Sequence, residues 1–402
     1  MKILLLANSF PRLKNEATGV YNYRLVKQFK EMGEDIFVAY FRVWLPGRKI
    51  ISTYIYDEIK VYQICLPIIL TNKYFNSLFR YNILICRIFG KLFLEKELQV
   101  CDIIHSVDIC SNGIIAGYWA NKFKKPHVSQ AIGSDVNYNL KKIVKGNNYS
   151  KWLKNINGII TNSKNLEIQI RAIFPYYYEL KTIYRGINIV PNTDKHRENG
   201  KEKGICFLYI GGFASKDTLN KGNNTKGGAT LTQAWQMVER ELIKTNAVLF
   251  MGGPRSNKKF LLSWRNNLNY PNRVKIIGNL TPTRVKYFMQ ISDVIIIPSM
   301  KEGLPNVLLE SYANRRPVIG SDAGGNPEII LHGKTGFVFK CGDSNALSKL
   351  LMQAASDKKK IEIMGMNGYN HAKDYFNAVN YGPNLKLFYE NTIIKYSLYK
   401  KS

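Results

Sequence analysis

The sequence predicts an α/β protein built of two Rossmann-like, doubly wound parallel-sheet domains facing across a cleft. Three observations carry this. Apolar runs of strand length alternate with segments of helical spacing in both halves, the pattern of parallel sheets covered on two faces. The chain has 402 residues, more than one hydrophobic core normally serves. Between the halves, "YRGINIVPNTDKHRENGKEKG" (184–204) is polar and rich in Gly, Pro and charge. The expected domains are 1–185 and 186–375. A long aromatic helical segment, 376–402, is expected to pack back on the first.

In the first half, "KILLLAN" reads as a buried strand, and "GVYNYRLVKQFKEMG" has helical apolar spacing closed by a glycine. "DIFVAY", "DIIHSV", "HVSQAI" and "GIITNS" are further strands. Residues 73–98 place Phe, Leu and Ile at helical spacing beside Lys73, Arg80, Arg87, Lys91 and Lys96. That segment reads as a single amphipathic helix, either covering a sheet or lying at a membrane interface. In the second half, "GICFLYIGG", "NAVLFMGG", "VKIIG", "VIIIPS", "PVIGSD" and "TGFVF" repeat the strand pattern, with helical segments between most of them. Two such domains joined by a short linker place a cleft at the carboxyl ends of both sheets, where these folds bind ligands.

Composition excludes several classes. With 45% hydrophobic and 22% charged residues the chain is globular, not disordered. Six cysteines lie at 65, 86, 101, 110, 206 and 341 with no C-x-x-C pair and no nearby histidine at ligand spacing, so no metal site is expected. Unpatterned cysteines suit a reducing cytosol. The apolar run in "MKILLLANSF" stops at Asn8, too short for an export signal. No run approaches the roughly 18 apolar residues of a membrane span. Net charge is +29. Residues 1–190 hold 27 Lys+Arg against 13 Asp+Glu and the rest 31 against 16, an excess of +14 and +15. A nucleic-acid binder usually concentrates its charge in one patch or arm, so no specific nucleic-acid partner is expected. An even excess suits an anionic surface such as the inner leaflet.

The most informative stretch is "KEGLPNVLLE" (301–310), directly after "VIIIPS". Pro305 fits the first turn of a helix, where its missing N–H costs nothing, and Gly303 lets backbone approach a ligand closely. The helix would aim unpaired N–H groups and a positive dipole into the cleft, which suits a diphosphate. Glu302 and Glu310 are not a hydrolase pair. Eight helical residues rise about 12 Å, against roughly 5–9.5 Å between paired glycosidase carboxyls. Glu310 could instead accept hydrogen bonds from a ribose diol while Glu302 touches a sugar beyond the diphosphate. The alternative is that both are solvated helix-end acids.

E-x7-E with an internal G-x-P resembles the signature of GT-B glycosyltransferase family 4, the group 1 retaining glycosyltransferases. "TKGGATLTQAW", "FMGGP", "VKIIGNLTPTRVKYFMQISDVIIIPS" and "SDAGGNPEIILHGKTGFVFKCGD" resemble that family's further motifs in the same order, covering nearly all of the second domain. The first domain is similar more weakly, through "SFPRLKNEATGVYNYRLVKQF", "DIIHSVDICSNG" and "AIGSDVN". The resemblance implies the GT-B fold, a UDP- or GDP-sugar donor, and transfer with retention and without metal or other cofactor. It implies an acceptor-binding first domain and a donor-binding second one. By position, Lys226 would neutralise the diphosphate; Gly303, Leu304, Pro305 and Asn306 would line it; Glu302 would sit beside the donor sugar; Glu310 would bind the ribose. Gly19, Gly212 and Gly253 would let the donor approach, and Asp135 and His105 match first-domain motif positions that would carry catalytic roles, although a lone histidine at a strand end is more often structural. Preorganised cations and N–H groups stabilise the charge that grows on the departing diphosphate.

Three positions depart from the pattern. Gly212 stands where many members have Arg, with Lys216 or Lys221 available as a point charge; Ile132 replaces a His; Asn188 replaces an Asp. "HGKTGF" is not a P-loop, because Glu328 occupies the required glycine position. No G-x-G-x-x-G follows the first strand and no D-x-D metal site is present, so a nicotinamide dehydrogenase and the other main transferase fold are set aside. The expectation is a hexosyltransferase acting in bacterial cell-surface polysaccharide synthesis on a glycan or polyprenyl-linked acceptor. It would be cytoplasmic and peripheral on the inner membrane face. The alternatives are a nucleotide-sugar hydrolase or epimerase of the same fold, or a catalytically idle basic protein that binds membrane or RNA.

Overall fold

Strands covered on both faces bury nearly every side chain and therefore read as unbroken apolar runs. β1 (Lys2–Ala7) is the clearest case: Ile3 to Leu6 are fully buried. A computed structural model describes residues 1–13, 16, 18–68, 77–140, 153–174, 179–189, 204–213, 225–254, 256 and 259–400. It divides the chain into two units, Met1–Tyr184 with Val379–Ser402, and Arg185–Ala378.

In the first unit β1 is joined by β2 (Asp35–Val43), β3 (Ile51–Tyr56), β4 (Ile59–Leu66), β5 (Ile103–Val107), β6 (His127–Ala131), β7 (Gly158–Thr161) and β8 (Leu180–Thr182). The sheet order is β3-β4-β2-β1-β5-β6-β7-β8. Every pairing is parallel except β3 with β4. That antiparallel hairpin turns at Asp57 (φ 48°) and Glu58 (φ 62°), two left-handed residues as a tight hairpin requires, but without the Asn-Gly that would announce it. The helices are α1 (Val20–Glu31), α2 (Ser77–Phe93), α3 (Glu95–Val100), α4 (Asn112–Phe123) and α5 (Lys164–Ile173).

The single helix expected over 73–98 is two helices, with 73–76 outside the described residues. Leu94 leaves helical geometry at φ −115° and ψ 17° between α2 and α3, and both Leu94 and Leu98 are fully buried in the core. α2 carries apolar groups on both sides. Phe79, Ile83 and Cys86 join the core, while Leu78, Tyr81, Leu84, Ile88 and Leu92 are exposed. Among the described residues no helix is long and apolar enough to cross a membrane.

The second unit contains β9 (Cys206–Ile210), β10 (Val248–Gly252), β11 (Val274–Gly278), β12 (Val294–Ile297), β13 (Val318–Ser321) and β14 (Gly336–Phe339). All pairings are parallel, in the order β11-β10-β9-β12-β13-β14. Its helices are α6 (Gly228–Lys244), α7 (Lys259–Asn266), α8 (Pro282–Ile291), α9 (Asn306–Ala313), α10 (Asn326–Ile329), α11 (Ser344–Ser356) and α12 (Lys358–Tyr375). Both units are thus doubly wound sheets, wholly parallel in the second and parallel but for the β3–β4 pair in the first.

The last helix, α13 (Tyr381–Tyr399), belongs to the first unit. Tyr381, Leu385, Phe388 and Tyr389 are its buried row. Tyr389 stacks on Phe29 of α1 with ring centroids 5.5 Å apart, and Gln130 of β6 donates to the Tyr381 hydroxyl at 2.9 Å. Phe388 lies over Gly158, where a Cβ would stand 2.8 Å from its ring. A glycine in β7 is therefore what lets this helix seat. Phe388→Ala is expected to destabilise the first unit by about 3–5 kcal/mol, the usual cost of emptying a buried aromatic site. Denaturant unfolding measures it, and a loss under about 1 kcal/mol would mean the helix is not part of that core.

Candidate functional site

The second unit gathers the predicted donor-site residues at the carboxyl ends of its strands, where loops leave a parallel sheet. β12 ends in Pro298, Ser299 and Met300, and the chain runs on through Lys301–Pro305 into α9. Beside it passes the segment before α6. Met300 N donates to Thr225 O at 2.9 Å, and Gly227, at φ 69°, lies so close to Pro298 that a Cβ would overlap the Pro298 carbonyl oxygen. Only glycine fits. This contact brings Lys226 against Glu302: Nζ donates to Oε1 at 2.6 Å, and Ser299 Oγ donates to the same oxygen at 2.9 Å. The Glu302 side chain is 11% exposed and that of Lys226 46%, so the ammonium group remains accessible while the carboxylate is held from behind.

Gly303, Leu304 and Pro305 are buried. The Gly303 carbonyl accepts from Gly325 N at 2.7 Å, which ties the start of α9 to the loop after β13. Pro305 stands one position earlier than the sequence suggested. It is the cap, with ψ 125°, and Asn306 is the first helical residue. An extended proline has no N–H to satisfy at a cap either, so the substitution of one role for the other costs nothing. Asn306 and Glu310 are four apart, both half-buried, on one face of α9.

Gly212 and Gly253 meet each other. Gly212 N donates to Gly252 O at 3.2 Å, Phe213 N to Pro254 O at 2.9 Å, and a Cβ on Gly253 would lie 2.8 Å from Gly212 N. Gly212 has φ 70° and a Cβ there would overlap the Pro254 carbonyl oxygen. The backbone itself therefore excludes any larger side chain here, including the arginine that the family resemblance would have suggested. Lys221, like Lys216, lies outside the described residues.

One residue at this site escaped the sequence reading. Tyr209, at the end of β9 and 1% exposed, has its hydroxyl 3.0 Å from Gly212 O and 3.2 Å from Lys226 O. It shares one proton between the two loops that carry the glycine contact and the lysine. Burial and then the Glu302 charge push its phenol well above the ordinary range, so it stays a donor. It sits inside an apolar strand, and no local pattern marks it.

The first unit treats its predicted residues differently. His105 is fully buried in β5, with Nδ1 2.5 Å from the Tyr389 hydroxyl of α13. Asp135 is 1% exposed, and its carboxylate accepts from Ile109 N (3.0 Å), Gly133 N (2.9 Å), Val136 N (3.0 Å) and Ile132 N (3.1 Å). Both side chains are engaged inside the unit, one pinning a helix and the other closing a turn. Gly19, at φ 79°, caps α1, and a Cβ there would stand 2.6 Å from Phe10 Cα. A close approach of its own chain already requires that glycine. Ile132, at the position where the resemblance suggested His, packs against the core. Unforeseen was Asp108, at φ 87°, whose carboxylate accepts from Cys110 N at 2.5 Å and Ser111 N at 2.9 Å. Burial and then neighbouring Asp135 push it up to about 7.

Residues 218–371 match the family described as glycosyl transferases group 1. An uncharacterized glycosyltransferase of Methanocaldococcus jannaschii is 26% identical over 293 residues, 71% of this chain and 74% of the relative. CapH, a capsular polysaccharide biosynthesis glycosyltransferase of Staphylococcus aureus, is 28% identical over 253 residues, 60% of this chain and 64% of CapH. Among solved structures, sucrose-phosphate synthase from Thermosynechococcus elongatus is similar with a TM-score of 0.73 at 18% identity, over 100% of this chain and 99% of that one. HepE of Anabaena, solved with UDP-glucose, is similar with a TM-score of 0.66 at 18% identity, over 97% and 100%. The chain has the GT-B fold, and its second unit carries the group 1 glycosyltransferase match over residues 218–371.

Two tests follow from the geometry of this glycosyltransferase. Tyr209→Phe leaves the buried Gly212 carbonyl and the part-buried Lys226 carbonyl without their shared donor and is expected to cost about 1–3 kcal/mol of stability; thermal unfolding that matched the parent protein would show the hydroxyl is idle. Asp108 gives a pH dependence. A carboxyl raised to about 7 stays protonated in the folded state after the unfolded chain has ionised, so stability falls as pH rises from about 4 to 7. Asp108→Asn keeps an oxygen acceptor, tolerates the left-handed backbone and cannot ionise. Its melting temperature should exceed the parent's by several degrees at pH 8 and match it at pH 4; equal differences at both would contradict the assignment.

Proposed function

We propose that this glycosyltransferase is a metal-independent retaining hexosyltransferase that moves a sugar from a UDP- or GDP-sugar to a glycan or polyprenyl-linked acceptor in cell-surface polysaccharide assembly. The observation that carries the reading is the Lys226–Glu302 contact at the entry to α9, with Glu310 one turn further on. It puts a cation from one segment beside a second segment that holds a helix start and two acids, the set a nucleotide-sugar needs along its length. UDP-glucose bound to HepE and the polysaccharide role named for CapH support the donor and acceptor classes.

In this reading the diphosphate lies over the first turn of α9. The backbone of Gly303, Leu304, Pro305 and Asn306 lines it, and the N–H groups of the first turn that lack intrahelical acceptors face the phosphate oxygens. Lys226 shares its charge between Glu302 and the diphosphate, and as the glycosidic bond breaks the growing negative charge draws it toward phosphate. Glu302, held by Ser299, remains beside the sugar. Glu310 takes the ribose hydroxyls. The acceptor hydroxyl attacks on the leaving-group face and passes its proton to the departing phosphate oxygen, which accounts for retention without a dedicated protein base. His105 and Asp135 act by positioning, through α13 and the 132–136 turn, Gly212 and Gly253 by permitting close backbone packing beside the donor, and Gly19 by permitting close packing against Phe10. Lys221 would supply the second cation. The protein would work in the cytoplasm at the inner membrane face.

Thermal shift across UDP-, GDP- and ADP-sugars identifies the donor, and NMR of the product reports linkage and anomeric configuration. Lys226→Ala should lower kcat about 10²–10³-fold, the scale of removing one preorganised charge-stabilising group. Glu310→Ala should raise the donor KM at least about tenfold, consistent with losing hydrogen bonds to a charged acceptor. Transfer rates unchanged in both variants with every nucleotide-sugar would overturn the proposal. Release of free sugar or an epimer in place of a new glycosidic bond would do the same.

A further inference from the structure

The first unit holds a concave site at the amino ends of its strands. The Asp108 and Asp135 loops leave the carboxyl ends of β5 and β6. A cavity of about 740 Å3 opens instead where β6 and β7 begin, roofed by the last turns of α13. That size falls in the range of small-molecule sites. Lys124 and Lys125 enter it from the end of α4, Lys154 from the segment before β7, and Lys395 and Lys400 from α13.

Five ammonium groups around one cavity repel each other unless anions offset them. Among the described residues a single carboxylate does so, Glu179 at 3.6 Å from Lys395. The other anchors are neutral. Lys125 Nζ donates to Gln99 O at 2.7 Å, and Lys400 Nζ donates to Lys124 O at 3.0 Å while lying 4.6 Å from the centre of the Tyr396 ring. These contacts hold Lys125 and Lys400 in place without neutralising them. Tyr396 and Tyr399 add aromatic surface, and Asn121 and Asn155 add amide groups at the wall.

We propose that this cavity binds an anionic saccharide, a sugar chain or sugar phosphate whose carboxylates or phosphates meet the lysines while its rings lie on the tyrosines. A simple inorganic anion would use the charge and leave the tyrosines and asparagines without purpose. A flat lipid surface would not require a cavity. For an enzyme of this family such a site holds an acidic glycan away from the carboxyl-end loops of the same unit. The inference stands on the first unit's own residues and does not require the donor reading above.

The test is isothermal titration of the full chain with tetragalacturonate, which carries carboxylates, and with glucose 1,6-bisphosphate, which carries phosphates. Maltotetraose, inorganic phosphate and phosphatidylglycerol vesicles are the comparisons. Saturable binding of at least one anionic saccharide is expected, weakening with added salt and falling at least tenfold in Lys154→Ala/Lys400→Ala and in Tyr396→Ala. The responding probe tells carboxylate from phosphate as the anion. The double variant should keep the parent's thermal shift with UDP, which separates this site from the donor site. Absence of binding by both anionic saccharides overturns the proposal, as does binding unaffected by the variants. Inorganic phosphate or maltotetraose binding as tightly as the charged sugars would also overturn it, as would vesicle capture that neither saccharide competes with.

Discussion

The donor end of the second unit depends on one close approach of backbone to backbone. At Gly227 the chain turns left-handed against the Pro298 carbonyl with no room for a side chain. Because that contact is made by main chain, it sets the separation of two loops far more tightly than a pair of flexible side chains could. Lys226 precedes the contact and Glu302 lies four residues beyond Pro298. Their 2.6 Å ion pair is therefore a consequence of the glycine more than a cause of the fold. A half-exposed lysine pair by itself contributes little to stability. What the geometry provides is a cation held against Glu302 at the entry to α9.

The same logic of loops braced from behind recurs around it. Tyr209 reaches from β9 to both Gly212 and Lys226. Gly325 grips Gly303, and Gly324, at φ 58°, packs where a Cβ would overlap the Glu302 carbonyl oxygen. Each strand end is thus locked to its neighbour by main-chain groups, leaving side chains at the rim available for a substrate. In the first unit the equivalent groups are drawn inward. Asp135 is consumed by four backbone N–H groups and His105 by Tyr389, so these residues shape the unit.

Much of this was legible in the sequence, for a physical reason. Strands buried on both faces leave contiguous apolar runs, so β1, β5, β9 and β12 could be read directly, and the motif series led to Lys226, Glu302 and the start of α9. The β3–β4 hairpin was missed because β3 alternates weakly and its turn is Asp57-Glu58. The break at Leu94 was missed because apolar spacing continues across it; only tertiary burial of Leu94 and Leu98 explains why the helix shifts there. Tyr209 was invisible because a tyrosine in an apolar strand looks like core until the carbonyls around its hydroxyl are known. Pro305 was placed one residue late, within the usual uncertainty of a helix end.

Charge shows most plainly what a linear reading cannot see. Counted along the chain, the excess of +29 is spread almost evenly between the halves, which argues against a dedicated anion-binding segment. In space it is not even. Lys124, Lys125, Lys154, Lys395 and Lys400 come from three separate stretches and converge on one cavity, because α13 returns from the far end of the sequence to close the first unit. Five like charges brought together oppose folding, and a core row of Tyr381, Leu385, Phe388 and Tyr389 holds α13 in place against that repulsion. Charge that the rest of the surface could have diluted is gathered at one place, and two of its five lysines, Lys395 and Lys400, join it only when the last helix docks.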